Sequence, residues 1–316
     1  MILKVCTLEL LSEDANQIIV DRLGLHVEYI DRSQLSSLKV NESTVLICRD
    51  RDDWNDIFRV FPFLRFVFIL SAGVEKLPFD ELLKRNIVVA NPGGLNAPIM
   101  SEYAMGIILS HSTRLVENIN NKISHFWKKF QCVDSLNNQN LLIVGAGRTG
   151  QLLAHKAKAF GMNVIGVKKH ICELPNFDEI VTINEIKRVL PLSDFVVCTI
   201  PLTDDTRDLF NRSLFECMKR TSYFINISRS RIVVTDDLVN SLKNGTISGA
   251  CLDVFDKEPL DENDELWNVP NLIITPHSSG RLEKFTDKTI PYFVKNVEAF
   301  ASGTVLPNKV NLYERY

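Results

Sequence analysis

Residues 140–170 read NLLIVGAGRTGQLLAHKAKAFGMNVIGVKKH. An apolar run, Asn140–Val144, leads into Gly145-x-Gly147-x-x-Gly150, then into an amphipathic stretch and a second β-branched run ending at Val167. Three glycines at this spacing are a weak signal alone. Between a strand and a helix, with a second strand close behind, they read as a dinucleotide-binding turn. Gly145 permits the tight turn, Gly147 lets the backbone approach a pyrophosphate, and Gly150 lets helix and strand pack closely. The helix start turns N–H groups and the positive end of its dipole to the anion, and Arg148 and Thr149 can add donors. A glycine-rich turn without a ligand is the plain structural alternative.

The end of the second strand bears on which dinucleotide. An NAD-binding turn usually has an acid about twenty positions on, holding the ribose 2′-OH. Here the chain reads Val167-Lys168-Lys169-His170, with no acid. Two ammonium groups suit a 2′-phosphate, so NADP(H) is favoured and NAD(H) is the alternative. Lysines at a solvent-facing strand end are the structural counterpart of that reading.

Outward from the turn, the alternation of strand and helix continues. FVVCTI (195–200), YFINIS (223–228), SGACLDV (248–254) and NLIITP (271–276) are further strand candidates. On the amino-terminal side, STVLIC (43–48), RFVFIL (65–70) and NIVVA (86–90) read as buried strands, with helices at Trp54–Val60 and Phe79–Arg85. This is the pattern of an α/β protein with parallel sheets. Asn91–Gly94 interrupts it. The spacing of Ile99, Met100, Tyr103, Ile107 and Ile108 then predicts one long helix from about Pro98 to Lys122. A last helical stretch covers about Arg281 to Ser302, where Pro291 should start or kink a segment.

Composition narrows the class. The chain has 316 residues, 45% hydrophobic and 24% charged, enough for a core in each of two domains. Lys plus Arg number 36 against 39 Asp plus Glu, which argues against a nucleic-acid-coating protein. Seven cysteines lack CxxC pairing and zinc-ligand spacing, so no metal site is expected. Unpaired thiols, no signal-peptide core in MILKVCTLELLSED and no apolar run long enough to span a bilayer read together as cytoplasmic, without a membrane partner.

Three strand candidates end in chemically useful residues. Arg229 follows YFINIS; Asp253 lies near the end of SGACLDV, with Glu258 in the loop beyond; His277 follows NLIITP. In a doubly wound sheet, ligands bind at the carboxyl ends of the strands, beside the glycine turn. Taken singly, Arg229 fits an ion pair, Glu258 a turn carboxylate, and His277 a hydrogen-bonded buried ring. Asp253 fits either a cap or a support behind the other two. Together, an Arg, a carboxylate and a His make an anion anchor and an acid–base pair.

These segments closely resemble the D-isomer-specific 2-hydroxyacid dehydrogenase family. The matching pieces are SAGVE (71–75), MSEYAMGIIL (100–109), GAGRTG (145–150), PLTDDT (201–206), MKRTSYFINISR (218–229), GACLDVFDKEPL (249–260) and TPHSSG (275–280). The resemblance implies two Rossmann-like domains, the active site lying in the cleft. One is a discontinuous, flavodoxin-like substrate domain of residues 1–95 and 281–316; the other is a doubly wound dinucleotide-binding domain of 96–280. It implies catalysis by Arg229, Glu258 and His277, with Ala72 and Gly73 binding the carboxylate of a small 2-oxo or D-2-hydroxy acid beside Arg229. Cofactor contacts fall on Met100, Gly145, Gly147, Arg148, Thr149, Gly150, Lys168, Lys169, Ile200, Pro201, Thr206, Ser228 and Asp253. A homodimer built around the long helix near Pro98 is implied as well. Departures are Ser230 for the family's Gly, Val234 for its Asp, Thr149 for an aliphatic residue, and Lys168 for the Asp of NAD-type members. With Val234 there, Thr235 becomes the expected cap of the following helix, and Asp236 and Asp237 its first turn. Within this resemblance the alternatives are a short phosphoglycerate dehydrogenase and a dinucleotide-sensing, corepressor-like protein; Glu258 in place of Gln argues against a formate dehydrogenase.

Overall fold

The computed structural model describes residues 3–315, and the chain divides into two compact units, one up to Leu95 together with Leu282 onward, the other Asn96–Arg281. The first unit runs β1 (Val5–Thr7), α1 (Glu13–Leu23), β2 (Val27–Tyr29), β3 (Val45–Cys48), α2 (Trp54–Val60), β4 (Phe66–Ile69), α3 (Phe79–Lys84) and β5 (Val88–Ala90). Its strands pair in parallel in the order β2-β1-β3-β4-β5, the flavodoxin-like arrangement. Every residue of β3 and β4 is buried. That is why VLIC and FVFI are unbroken apolar runs: helices cover both faces of the sheet, so neither face can be polar.

One face of this sheet packs on α1 and on the carboxyl-terminal helix Phe285–Ser302, through Ile19, Ile47, Phe68, Phe293 and Val297. The Phe68 and Phe293 rings meet edge-on at 5.5 Å. Pro291 lies inside the terminal helix, which neither starts nor stops there. Its ring is on the exposed side, where water can meet the carbonyl that a proline leaves without an N–H partner.

The second unit contains α4 (Ala97–Ser112), α5 (Leu115–Ile123), β6 (Asn140–Val144), α6 (Arg148–Ala159), β7 (Asn163–Val167), β8 (Glu179–Val181), α7 (Ile186–Val189) and β9 (Phe195–Cys198). It continues with α8 (Arg212–Phe215), β10 (Tyr223–Asn226), α9 (Thr235–Lys243), β11 (Gly249–Leu252) and β12 (Leu272–Ile274). The parallel order β8-β7-β6-β9-β10-β11-β12 is the Rossmann order with one strand added at the β12 edge.

Two local expectations are corrected. The single helix expected over 98–122 is two, because Arg114 adopts a left-handed conformation (φ 57°) between α4 and α5. Val234, not Thr235, occupies the N-cap of α9, without a side-chain cap; Thr235 is the first helical residue. Asp236 and Asp237 do fall in the first turn, and Asp237 accepts the Arg212 N–H at 2.8 Å. Among the described residues, no helix is long and apolar enough to cross a membrane.

Candidate active site

The glycine turn joins β6 to α6. Gly145 has φ 115°, and a Cβ there would lie 2.6 Å from the Ile200 nitrogen. A Cβ on Gly150 would lie 2.3 Å from the Gly145 carbonyl oxygen and 3.0 Å from Ile143 Cγ2, so only glycine lets α6 start this close to its strand. Gly147 differs: a Cβ there would meet nothing within 4 Å, so its backbone borders open space. It is the N-cap of α6, with no side-chain cap and no acid in the first turn. An uncapped helix start facing open space is what a pyrophosphate needs. The residues present therefore fit a dinucleotide.

The neighbouring strand ends complete this edge. The Val167 carbonyl accepts from the Gly145 and Ala146 N–H groups at 3.1 and 3.0 Å, tying the turn to the residue before Lys168. Lys168 is half-buried and Lys169 exposed. After β9, the Thr199 hydroxyl donates to the Gly145 carbonyl at 2.7 Å, and Ile200 packs on Gly145. Thr206 is buried; its hydroxyl donates to the Pro201 carbonyl (2.7 Å) and accepts the Thr203 N–H (2.8 Å). It shapes the 201–206 loop from within. Met100, on α4, borders Gly280.

Arg229, Asp253 and His277 follow three strands, β10, β11 and β12, that pair side by side. Arg229 is half-buried, and its Nη1 donates to the Ser228 carbonyl at 2.8 Å. Asn226, fully buried, staples this loop: its amide donates to the Arg229 carbonyl (2.9 Å), while its Oδ1 accepts from the Ser228 hydroxyl (2.8 Å) and N–H (3.1 Å). No local sequence feature marks Asn226 for this task.

His277 Nδ1 lies 2.8 Å from Glu258 Oε2. A carboxylate only accepts, so Nδ1 carries the proton and Nε2 is left for other chemistry. The other Glu258 oxygen accepts the Phe255 N–H at 3.0 Å, which fixes the carboxylate as well. Both side chains stay partly open, 48% exposed for His277 and 37% for Glu258. An apolar recess of about 660 Å³ adjoins the pair, lined by Phe255, Pro259, Leu260, Trp267, Ile274 and Pro276 together with Arg281.

His277 is itself left-handed (φ 50°), which for a non-glycine residue costs on the order of 1–2 kcal/mol. Its N–H donates to the Thr275 carbonyl at 2.9 Å. Asp253, assigned to the cofactor from the sequence, is fully buried. Its Oδ1 accepts from the Thr275 hydroxyl (2.5 Å) and the Ser278 N–H (2.8 Å), its Oδ2 from the Ser279 N–H (2.9 Å). The carboxylate thus grips the chain on both sides of His277.

In the first unit, Ala72 and Gly73 follow β4. The Asn91 amide donates to the Ala72 carbonyl (2.9 Å) and the Ser71 hydroxyl to the Gly73 carbonyl (2.8 Å). Both contacts hold carbonyls, and so set the direction of the loop's N–H groups.

A family model for the D-isomer specific 2-hydroxyacid dehydrogenase NAD-binding domain matches residues 105–279. A glyoxylate reductase from Pyrococcus horikoshii is 31% identical over 286 residues, 88% of this chain and 85% of its own. A solved D-isomer specific 2-hydroxyacid dehydrogenase family protein from Aeromonas salmonicida is 29% identical, with a TM-score of 0.82 over 98% of this chain and 100% of that one. An NADPH-dependent glyoxylate/hydroxypyruvate reductase from Sinorhizobium meliloti, solved with NADP and sulfate, is 25% identical, with a TM-score of 0.84 over the full length of both chains. The likeness spans nearly the whole chain, far beyond the glycine turn that many unrelated dinucleotide proteins share. The chain belongs to the D-isomer-specific 2-hydroxyacid dehydrogenase family and is an NAD(P)-dependent oxidoreductase working between 2-oxo and 2-hydroxy acids.

Proposed function

We propose that this enzyme reduces a small 2-oxo acid, of the glyoxylate or hydroxypyruvate kind, with NADPH in preference to NADH. The observation that carries the reading is the His277–Glu258 contact of 2.8 Å at the strand ends of a sheet whose glycine turn is followed by Lys168 and Lys169. Gly145, Gly147 and Gly150 hold the pyrophosphate at the start of α6, with Arg148 and Thr149 as added donors. Lys168 and Lys169 meet the 2′-phosphate. Met100, Ile200, Pro201, Thr206 and Ser228 border the cofactor, and Asp253 acts through the loop it grips. The bound cofactor supplies the hydride.

Reduction puts negative charge on the carbonyl oxygen, and His277, as imidazolium, donates a proton there from Nε2. Glu258 holds Nδ1 and so keeps the ring aimed. General acid work of this kind is worth about 10²–10⁴ in rate, roughly 3–5 kcal/mol. Arg229 pairs with the substrate carboxylate and polarises the carbonyl, a task that suits its planar fork. Ala72 and Gly73 are assigned to the same carboxylate. In the reverse direction neutral His277 takes the proton.

A homodimer and a cytoplasmic location complete the reading. On α5 and the segment after it, Ile119, Ile123, Trp127 and Phe130 are 50%, 73%, 89% and 85% exposed, an apolar surface suited to a second copy. All seven cysteines are free thiols, which suits a reducing compartment.

The test follows the loss of NADPH or NADH absorbance with a panel of 2-oxo acids. Turnover of glyoxylate or hydroxypyruvate, faster with NADPH and abolished in His277→Ala, is expected. Cofactor binding without turnover of any acid would leave a dinucleotide-sensing protein instead.

A further inference from the structure

We propose that Tyr103 and Thr275 are positioning residues: a half-buried chain of hydrogen bonds from the Tyr103 phenol through the Thr275 hydroxyl to the buried Asp253 carboxylate locks the turn that carries His277. The inference rests on His277 being the proton donor and adds what keeps it in place.

Asp253 accepts from three residues, and they straddle His277: Thr275 two residues before it, Ser278 and Ser279 just after. Between them His277 holds a left-handed backbone that no glycine relieves. Such a turn relaxes toward commoner conformations unless its flanks are held. The Thr275 hydroxyl has one proton, and the 2.5 Å contact to the Asp253 carboxylate takes it. Thr275 can therefore only accept from Tyr103, whose phenol oxygen is 2.5 Å away. That sets the direction of the whole chain, from phenol to hydroxyl to carboxylate.

Tyr103 belongs to α4, 172 positions away from Thr275 in sequence. Through it, the flank of the His277 turn is tied to a sixteen-residue helix as well as to its own sheet. Burial pushes the Tyr103 phenol up, well above its ordinary range, so it stays a donor at any working pH. Cys251, 3.5 Å from the same phenol, is likewise pushed up by burial and stays a thiol. Both donors of the chain, the Tyr103 phenol and the Thr275 hydroxyl, therefore keep their protons.

The experiment uses the full-length enzyme with NADPH. Tyr103→Phe removes the bond to Thr275 together with the weaker contact to Cys251, and Thr275→Val removes both the Tyr103 and the Asp253 bonds; Thr275→Ser keeps the hydroxyl. Because a misplaced catalytic group loses rate steeply with distance, kcat should fall about threefold in Tyr103→Phe and about tenfold or more in Thr275→Val. NADPH affinity should hold in both variants, and Thr275→Ser should recover most of the rate. Since the two residues form one chain, the double variant Tyr103→Phe/Thr275→Val should be no slower than Thr275→Val alone. A second readout is the downfield imidazole N–H resonance of the Glu258-bound ring, identified by its loss in His277→Ala; it should shift in Tyr103→Phe. Wild-type kcat and an unmoved resonance in Tyr103→Phe, or fully additive losses in the double variant, would overturn the proposal. If His277→Ala itself keeps its rate, the functional reading fails instead, and the two failures are distinct.

Discussion

The two units contain the same local construction, a parallel strand leading into a helix, with opposite consequences for an anion. In the first, β1 enters α1 through a turn without glycine; the Ser12 hydroxyl caps the helix by accepting the Ala15 N–H at 3.1 Å, and Glu13 and Asp14 occupy its first turn. In the second, β6 enters α6 through Gly145 and Gly147, with Gly150 in the first turn of the helix; the N-cap has no side chain to cap it, and the first turn has no acid. The sheet order alone therefore does not make a dinucleotide site. A handful of residues at the helix start either satisfies the positive end internally or leaves it for a ligand.

The comparison can be broken most forcefully at Gly150. Gly150→Val places carbon where the Gly145 carbonyl already stands, 2.3 Å from the position of a Cβ. Overpacking against backbone should cost about 3 kcal/mol in denaturant unfolding and abolish NADPH binding. Wild-type stability with normal affinity would show that the turn has room. Next in size is Thr149→Asp, which gives α6 the acidic first turn of α1. It should weaken NADPH by about ten- to thirtyfold in a fluorescence titration, while the unliganded protein gains up to about 1 kcal/mol. Opposite signs in binding and stability are the signature; equal losses in both would point to misfolding.

Smaller still, Lys168→Asp should lower the NADPH-to-NADH preference in kcat/KM about tenfold, on the order of 1 kcal/mol of charge interaction. An unchanged ratio would sink the 2′-phosphate assignment. The control lies in the first unit: Ser12→Ala should cost about 1 kcal/mol of stability through the lost cap and leave the steady-state kinetics untouched. A change in kcat there would mean that the two helix starts are not functionally separate.

How far the sequence could be read depended on whether the deciding interaction was local. The glycine turn is local, and Gly145 and Gly150 stand where positive φ and close approach demand them. The buried strands were legible as apolar runs because both faces of each sheet are covered. The three-residue strands VCT, VEY and EIV were not, being too short and mixed to show a period. The break at Arg114 escaped because the apolar spacing continues past it, without glycine or proline to mark the turn. The hydrogen bonds of Asn226 and the Tyr103–Thr275–Asp253 chain could not be seen at all. The Asn226 bonds reach only two and three positions along the chain, but their polar groups look like any others in sequence; the Tyr103–Thr275 bond spans 172 positions.

The place of the terminal helix has a consequence for synthesis on the ribosome. The first unit needs Phe293 and Phe300, whose rings sit 5.5 and 5.1 Å from Phe68 and Phe66 on its sheet. Those residues are translated only after the whole second unit has been. The nascent amino-terminal sheet must wait with part of one greasy flank, the part α1 does not cover, bare while its successor, continuous in sequence, is free to fold ahead of it.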